Sequence, residues 1–325
     1  MINKSKIKRI LVINLTNIGD CILTLPVLSV LRSEMPEAKL DMICGKVPVA
    51  LFQGSDDIDQ LYVYDKRWSY WQKWKWILEI RRTQYDLIVD LRHTMIPVLV
   101  PSKYKTRMLR TKNKSGGSVR EKHLSVIKHF GFDIGFTKPF PLYGDLELKE
   151  VDKRFSDLGN DYAVVVPGAN ASMKRWPEES FKQVIHYLIN EKKLKVVLLG
   201  SENEKEFIDP MVESCSSGVD IVNAVGKTSL REAAAILSKA CVVVSNDSAI
   251  MQMAQEMDVK TVSIFGPTNP WKYSKQGENI RIVRKDLECS PCELPICKLD
   301  RRKCLDDLSA EEVEKEIEQL LAFSF

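Results

Sequence analysis

A carboxylate that could act as a base stands just behind the first apolar run of the chain. Residues 9–15 are rich in Ile, Leu and Val and predict a buried strand, and the loop after them carries Asn17, Gly19 and Asp20. Gly19 permits a tight turn there, and Asp20 precedes a helix that the apolar spacing predicts over residues 22–35. Two interpretations stay open: Asp20 caps the helix, or it accepts a proton from a nucleophile at a cleft.

Basic residues follow a second buried strand, predicted over residues 163–166. This strand ends in Pro167 and Gly168, and Lys174 and Arg175 stand in the loop before the next predicted helix. Lysine is a mobile point charge that suits phosphate, so the loop is a candidate polyanion site. The alternative is that both basic residues are solvated in front of a helix, and the sequence fits it equally well.

Two further junctions of this kind lie later in the chain. Asp247 and Ser248 stand between a strand predicted at 242–245 and a helix predicted at 249–256. A helix N-terminus offers free N–H groups and a positive dipole end, which suit a diphosphate. The Asp247 carboxylate suits sugar hydroxyls instead, and either residue could simply be the helix N-cap. The turn at 265–270 is rich in Gly and Pro and is therefore rigid.

The elements that position these junctions alternate between strand and helix, which favours mostly parallel sheets. One series fills each half of the chain, so we expect domains at 1–155 and 156–308. A final helix at 309–325 has capping-box spacing between Ser309 and Glu312 and carries an apolar stripe. We expect this helix to pack towards the first domain.

Composition supports a globular protein of about two domains. The 325 residues include 48 Lys and Arg against 44 Asp and Glu, a net charge of +4, and 44% are hydrophobic. This balance excludes a disordered chain and a disulfide-dense scaffold. No stretch approaches the ~18 apolar residues of a spanning helix, and the apolar run 10–13 is too short for a signal peptide. We therefore expect a cytoplasmic protein without a nucleic-acid partner.

Taken together, the four junctions resemble those of the ADP-heptose:lipopolysaccharide heptosyltransferase family, glycosyltransferase family 9. The order and spacing of the matching stretches agree over most of the chain, and the first and last stretches are the most specific. They are RILVINLTNIGDCILTLPVL (9–28), VVVPGANASMKRWPEESF (164–181), VVLLGSENEKE (196–206), GKTSLREAAAILSKACVVVSNDSAIMQMA (226–254) and VSIFGPTNPWKY (262–273).

The resemblance implies an inverting glycosyltransferase of the GT-B fold, with two facing Rossmann-like domains that bind acceptor and nucleotide-sugar donor. It implies transfer of a heptose from ADP-heptose to a lipopolysaccharide core or other glycan acceptor. Asp20 would be the general base and Lys174 would hold the leaving diphosphate, so that no catalytic metal is needed. The implied donor-binding residues are Asn17, Gly19, Ser172, Lys174, Glu204, Asp247, Ser248, Ala249, Ile250 and Thr268.

The sequence departs from the family at the third junction. The family has Asp-[Ser/Thr]-Gly-Pro-Met-His there, whereas this chain has Ala249 in place of the glycine and Gln252 in place of the histidine. Ala249 hinders the close backbone approach that glycine allows. Two alternatives therefore remain: a transferase that uses a different donor sugar, and a non-catalytic member that binds nucleotide-sugar as a scaffold.

Half of the eight cysteines fall within sixteen residues. They are Cys289, Cys292, Cys297 and Cys304. The first pair has the spacing of a zinc knuckle, and four thiolates can form a closed structural site for zinc or iron. The later gaps are irregular for a zinc ribbon, so reduced free thiols fit a cytoplasmic chain as well, and disulfides fit it less well. Arg301 and Arg302 lie inside the cluster, where we expect them to be solvated.

The segment RWSYWQKWKWILEIRR (67–82) holds four of the six tryptophans, with basic residues between them. As a helix it could bury Trp74, Ile77 and Leu78 at the inner face of a membrane, which would suit a lipid-linked acceptor. The alternative is a partly buried surface helix. A basic surface for acceptor phosphates or acidic sugars is predicted from five side chains. They are Arg92, His93, Lys103, Arg107 and Arg110.

Overall fold

The chain divides into two compact units, Met1–Leu142 and Tyr143–Phe325. The computed structural model describes residues 2–14, 16–106, 117–135, 138–215 and 220–322. The division lies earlier than the expected boundary at residue 155. The helix that follows it, Asp145–Arg154, packs on the helix Leu230–Ser238 and so belongs to the second unit. Within the described ranges, no helix is long and apolar enough to cross a membrane.

The first unit is built on a parallel sheet that has five strands among the described residues, in the order β3-β2-β1-β4-β5. The strands are β1 (Arg9–Ile13), β2 (Lys39–Gly45), β3 (Gln60–Tyr64), β4 (Tyr85–Asp90) and β5 (Ser102–Lys105). The central strands β1 and β4 are apolar and almost wholly buried, as strands covered on both faces must be.

Helices α1 to α5 belong to the same unit. They are α1 (Ile18–Ile22), α2 (Leu25–Glu34), α3 (Tyr70–Arg81), α4 (Ile96–Leu99) and α5 (Val119–Lys128). The helix predicted over 22–35 is thus two helices with an interruption at Leu23 and Thr24. Pro26 explains the break because it has no N–H with which to continue the α1 hydrogen-bond ladder, and the Thr24 hydroxyl donates to the Cys21 carbonyl at 2.6 Å instead.

Helix α3 is the aromatic and basic segment. It begins at a capping box, in which the Ser69 hydroxyl accepts from the Gln72 amide and the Gln72 side chain accepts from the Ser69 amide. The inner face of α3 contributes Ile77 and Ile80 to the core of the first unit. The prediction that Ile77 faces a membrane is therefore wrong, and the exposed positions include Trp71 instead.

The second unit has six parallel strands among its described residues, in the order β11-β10-β9-β6-β7-β8. The strands are β6 (Tyr162–Val166), β7 (Lys195–Leu198), β8 (Ile221–Asn223), β9 (Val242–Asn246), β10 (Thr261–Ile264) and β11 (Ile280–Val283). The helices are α6 (Asp145–Arg154), α7 (Glu178–Asn190), α8 (Lys205–Cys215), α9 (Leu230–Ser238), α10 (Ala249–Glu256), α11 (Pro270–Tyr273), α12 (Lys303–Asp306) and α13 (Ala310–Ala322).

Each sheet has a point at which the strand order reverses. In the first unit the chain builds outwards from β1 to β3 and then returns to place β4 on the other side of β1. In the second unit the same reversal places β9 beside β6. A crevice forms outside the carboxyl ends of the two strands at such a reversal, and ligands bind there. The two expected α/β units with parallel sheets are thereby confirmed.

The C-terminal helix α13 corrects one expectation. Its apolar stripe, Val313, Ile317 and Leu320, is fully buried in the core of the second unit. There α13 packs on α7 and on the β9–β11 side of the sheet, so the expectation that the first domain covers this stripe is wrong. The stripe required an apolar partner, and the covering of the second sheet provides it.

Candidate active site

The reversal point of the second sheet brings a lysine and a carboxylate together. Lys174 follows β6 in a 3₁₀ turn, Ser172–Lys174, and Asp247 directly follows β9. The Lys174 ammonium lies 2.7 Å from Asp247 Oδ2. The lysine side chain is 35% exposed and the carboxylate only 5%. The pair therefore presents one mobile cation at the surface and one buried acceptor behind it.

Asp247 has unused hydrogen-bonding capacity. Its amide donates to the Ile264 carbonyl on the neighbouring strand at 3.2 Å, which fixes the backbone. Its buried Oδ2 makes an ion pair with Lys174 but no aligned hydrogen bond with any residue that the structure describes. The Lys174 ammonium compensates the charge of this oxygen, and the carboxylate keeps further lone pairs that can accept from a ligand hydroxyl.

The N-terminus of α10 lies beside this carboxylate. The N-cap is Ser248, whose hydroxyl accepts from the Met251 amide at 3.1 Å. This confirms the interpretation of Ser248 as a cap and excludes Asp247 from that role. The amides of Ala249 and Ile250 stand in the first helical turn, where N–H groups have no intrahelical partner. Together with the helix dipole they form an anion-binding end.

Arg302 holds the turn that carries Lys174. Its guanidinium donates to the carbonyls of Ser172 and Arg175, each at 2.8 Å, and to the Asp306 carboxylate at 3.1 Å. The expectation that Arg302 is solvated is therefore wrong. The turn and Arg302 also line a pocket of about 330 Å³ whose wall includes Phe207. Arg302 and Ser172 are 130 positions apart, and no local sequence pattern predicts that they are in contact.

A buried asparagine ties the two strand ends to each other. Asn246, the last residue of β9, donates to the Pro167 carbonyl at 2.7 Å and accepts from the Trp176 amide at 3.0 Å. It thereby fixes both ends of the loop that contains Lys174. The sequence offers one signal for this residue, since a polar side chain at the end of a Val-rich buried strand requires partners.

Glu204 lies against the loop after β6. Its carboxylate accepts from the Ser201 amide and hydroxyl, both at 2.7 Å. A side chain at Gly168 would collide with it, because a Cβ there would stand 2.5 Å from the Glu204 Cδ atom. Gly168 is thus needed for the close approach of this carboxylate to the strand end.

Thr268 is buried in the turn after β10. The turn is anchored by residues 289–305, which contain the four clustered cysteines and which we call the cysteine segment. The Ser290 hydroxyl donates to the Gly266 carbonyl, and the Glu293 amide donates to the Pro267 carbonyl. Leu305 fills the space beside Gly266 so closely that a Cβ would lie 2.6 Å from it. The cysteine segment therefore positions this turn as well as the lysine turn.

All eight cysteines of the chain lie in the described ranges and are free thiols. Burial raises the pKa of Cys304, and the charges of the Cys292, Cys289 and Cys297 thiolates raise it further, so the four share one neighbourhood. Among the described His, Cys, Asp and Glu residues, no group of three is arranged to hold a metal ion. The structural zinc or iron therefore stays a prediction.

In the first unit, Asp20 stands in the first turn of α1, at the carboxyl end of β1. Its Oδ2 accepts from the Asn17 side chain at 3.0 Å. The N-cap of α1 is Asn17, so the interpretation of Asp20 as the cap is wrong. Gly19 lies within the helix and not in the tight turn that was expected. Asp20 is half-buried and keeps free acceptor capacity.

The reversal point of the first sheet adds residues from β4. Asp90, the buried last residue of β4, accepts from the amides of Arg92 and Thr94 at 2.9 and 2.5 Å, and burial raises the pKa of its carboxyl. These bonds shape a turn in which His93 has a left-handed φ of 58°. A carboxylate close behind a buried apolar strand is the pattern from which the sequence predicts Asp20 and Asp247. Asp90 fits the same pattern but is not among the predicted residues.

The residues of the predicted basic surface do not all lie together in the structure. Lys103 lies in β5 beside the start of β4, because Ser102 pairs with Tyr85 and Tyr104 with Leu87. Arg92 follows the other end of β4, roughly 20 Å away along the strand direction. Of the five residues, only Arg92 and His93 are thus brought together among those described. Arg107 and Arg110 lie outside the described residues.

Gln252 marks the departure from the family pattern. It is buried in the first half of α10, and its Oε1 has no hydrogen-bond partner within the described part of the chain. A second buried acceptor thus stands one helical turn from Ser248, where the pattern has a histidine. The position is therefore available to a donor group of a ligand.

Comparisons with known proteins agree with this geometry. The family model of glycosyltransferase family 9 (heptosyltransferase) matches residues 74–302. Lipopolysaccharide heptosyltransferase 3 of Escherichia coli K12 is 26% identical over 93% of this chain and 95% of its own length. A family 9 glycosyl transferase from Veillonella parvula superposes with a TM-score of 0.79 at 23% identity, covering 98% of each chain. The structure of E. coli ADP-heptose lps heptosyltransferase II superposes with a TM-score of 0.76 at 20% identity, covering 97% of this chain and 99% of that one. The chain belongs to glycosyltransferase family 9.

Proposed function

We propose that this protein is an inverting glycosyltransferase that moves a heptose from ADP-heptose to a lipopolysaccharide core or a related glycan. Membership of family 9 makes it a glycosyl-transferring enzyme. The names of its relatives support the donor and the acceptor. The observation that carries the proposal is the Lys174–Asp247 pair beside the open amides of Ala249 and Ile250, at the reversal point of the second sheet.

The charge of each donor-binding residue indicates which part of the nucleotide-sugar it binds. The Lys174 ammonium and the amides of Ala249 and Ile250 are the positive groups, and we assign them to the diphosphate. The Asp247 carboxylate repels phosphate but can accept from hydroxyls, so we assign it to the sugar or ribose. While the donor is absent, Asp247 keeps Lys174 beside the site through the 2.7 Å ion pair.

The reaction is a displacement at the anomeric carbon. Asp20 takes the proton from an acceptor hydroxyl, and the hydroxyl oxygen forms the new bond to that carbon. The bond from the carbon to the diphosphate oxygen breaks at the same time, and its electron pair stays on the departing ADP. Lys174 and the helix amides stabilise this developing charge, so the proposal assigns no step to a metal. In-line displacement inverts the anomeric configuration.

The first unit supplies the acceptor side of the proposal. Asp20 and the Arg92–Thr94 turn both follow the strands at the reversal point of the first sheet. Arg92 and His93 are the basic side chains at this edge, and they suit a phosphate or acidic sugar of the acceptor. The non-catalytic alternative is not favoured, because the relatives are transferases and the charged groups that the reaction needs are present.

The location and the cysteine segment complete the proposal. We assign the protein to the cytoplasm, at the inner face of the membrane that holds a lipid-linked acceptor. We assign to the four clustered cysteines a structural zinc or iron, whose role would be to stiffen the segment that holds both the lysine turn and the Thr268 turn. The contacts of Arg302 and Ser290 support this structural role.

A transfer assay tests the proposal. The purified chain is incubated with ADP-heptose and a truncated, heptose-deficient core acceptor, and the product is followed by mass spectrometry. We expect a mass gain of one heptose and release of ADP. UDP- and GDP-sugars serve as competing donors, and transfer from one of them in place of ADP-heptose would replace the proposed donor.

A further inference from the structure

The outer face of α3 presents large apolar side chains that the first unit does not bury. Trp71 is 77% exposed, Trp74 46% and Leu78 43%. These residues follow the spacing i, i+3, i+7, so they form one stripe along the helix, which we call the tryptophan face. Trp68 and Trp76, by contrast, pack edge-to-face with each other at 5.8 Å. Tyr70, at the start of α3, is exposed as well, whereas Trp68 and Trp76 are partly covered by their contact.

The apolar area extends beyond α3. Helix α4 packs beside it, and the Arg81 guanidinium donates to the Leu99 carbonyl at 2.5 Å. On α4 and just before it, Val98 and Met95 are also exposed by more than half. Large apolar side chains are thus exposed on two neighbouring helices, and grouped exposure of this kind marks an interaction surface.

The charges around this surface select its partner. Residues 66–82 include six basic side chains, Lys66, Arg67, Lys73, Lys75, Arg81 and Arg82, against the single acidic Glu79, a net charge of +5. On a helical wheel of 100° per residue, Lys75 and Arg82 lie within about 60° of the tryptophan face. Indole rings favour the level of lipid headgroups, and basic side chains beside them attract anionic lipids.

We propose that the tryptophan face of α3, with Lys75 and Arg82 beside it, docks on an anionic phospholipid bilayer. The helix lies along the interface, with Trp71, Trp74 and Leu78 at the boundary between headgroups and acyl chains and the basic side chains among the lipid phosphates. This deepens the proposed function, because it names the surface that holds the enzyme where a lipid-linked acceptor is found. It requires no transmembrane segment.

Vesicle co-sedimentation of the full chain tests the proposal. The probes are vesicles of phosphatidylcholine with phosphatidylglycerol at 7:3, and of phosphatidylcholine alone. We expect binding to the anionic vesicles, weakened by added salt. Trp71→Ala with Trp74→Ala should lower the partition coefficient at least about tenfold. Lys75→Glu with Arg82→Glu should lower it by at least about 25-fold, because the loss of each basic side chain near an anionic surface costs about fivefold and the new carboxylates are repelled as well.

Matched controls separate docking from general surface effects. Leu146→Ala removes an exposed apolar side chain from the second unit. Lys6→Glu with Lys128→Glu changes the net charge by the same amount, at exposed positions outside α3. Both controls should bind vesicles nearly as the wild type does. The four substituted positions, three in α3 and Arg82 directly after it, are exposed, so circular dichroism should show unchanged folding.

Three results would overturn the proposal. They are absence of binding to anionic vesicles, equal binding by the tryptophan variant, and a wild-type dimer in analytical centrifugation that the tryptophan variant dissociates. The last result would make the tryptophan face a contact between copies of this chain. The vesicle assay contains neither donor nor acceptor, so its outcome is independent of the transfer assay.

Discussion

Arg302 offers a quantitative test of how the lysine turn is positioned. Arg302→Ala removes the two charge-assisted hydrogen bonds to the turn, to the carbonyls of Ser172 and Arg175 at 2.8 Å each, together with the contact to the Asp306 carboxylate at 3.1 Å. Bonds to charged groups contribute about 1.5–3 kcal/mol when buried. The Arg302 side chain is 27% exposed, so we reduce this contribution for solvent and take about 1 kcal/mol for each bond to the turn, about 2 kcal/mol for both.

The lost interaction energy should appear partly as a weaker affinity for the donor and partly as a lower stability of the fold. Because a bound diphosphate requires Lys174 in its ordered turn, ADP binding to the variant must restore that order. We expect the Kd for ADP to rise about tenfold, which corresponds to about 1.4 kcal/mol, and the remainder to appear as a lower free energy of unfolding. Isothermal titration calorimetry measures the first quantity and urea denaturation the second.

Two companion variants make the result specific. Arg302→Lys keeps the charge but cannot span both carbonyls with a rigid fork, so its affinity should be intermediate. Arg301→Ala is the matched control, because Arg301 pairs with Asp307 at the surface and does not touch the turn. An ADP affinity for Arg302→Ala within twofold of wild type would refute the positioning role.

Three further predictions concern stability and metal content. The Arg231 guanidinium lowers the pKa of Glu147 below its ordinary value of 4.5, so the ion pair stabilises the fold above that pH, and this contribution is lost as the pH falls through the pKa of the folded state. Glu147→Gln should therefore lower the free energy of unfolding by about 2 kcal/mol at pH 7 in urea denaturation and by much less at pH 3. An equal loss at both pH values would contradict the ion pair. Ser248→Ala removes the N-cap of α10 and should cost about 1 kcal/mol by thermal unfolding, with Ser248→Gly costing less; no loss would exclude the cap. Elemental analysis should find one zinc or iron per chain, lost in Cys304→Ser, whereas eight titratable thiols and no metal would leave the cluster as the free thiols seen here.

The sequence predicts the strand ends well because a buried parallel strand is a short apolar run with its polar residues just outside it. Asp20, Lys174 and Asp247 were found in this way, and their nearness to reversal points follows from the strand order. The pairing of Lys174 with Asp247 joins residues more than seventy positions apart. Only the strand order shows that β6 and β9 are neighbours, and no local pattern encodes that order.

Other features depended on tertiary contacts that periodicity does not specify. The apolar stripe of α13 predicts that one face of the helix is buried, but it does not predict which element covers that face. The structure shows that the core of the second unit covers it. Arg302 looked like a solvated residue because its partners, the carbonyls of Ser172 and Arg175, are backbone groups without a sequence signal. For α3 the mixed aromatic and basic composition left two faces possible, and burial of Ile77 selects one.

Calorimetric titration of ADP into wild-type protein and into the Lys174→Ala variant tests the central claim most directly. Removal of the ammonium takes away its contact with the diphosphate and leaves the buried Asp247 carboxylate unpaired beside it. We predict that the Kd for ADP rises at least about 30-fold, equivalent to ~2 kcal/mol, while Asp20→Ala keeps wild-type affinity and loses transfer by at least about a hundredfold. Equal ADP affinity in wild type and Lys174→Ala would contradict the assignment of the donor diphosphate to this site.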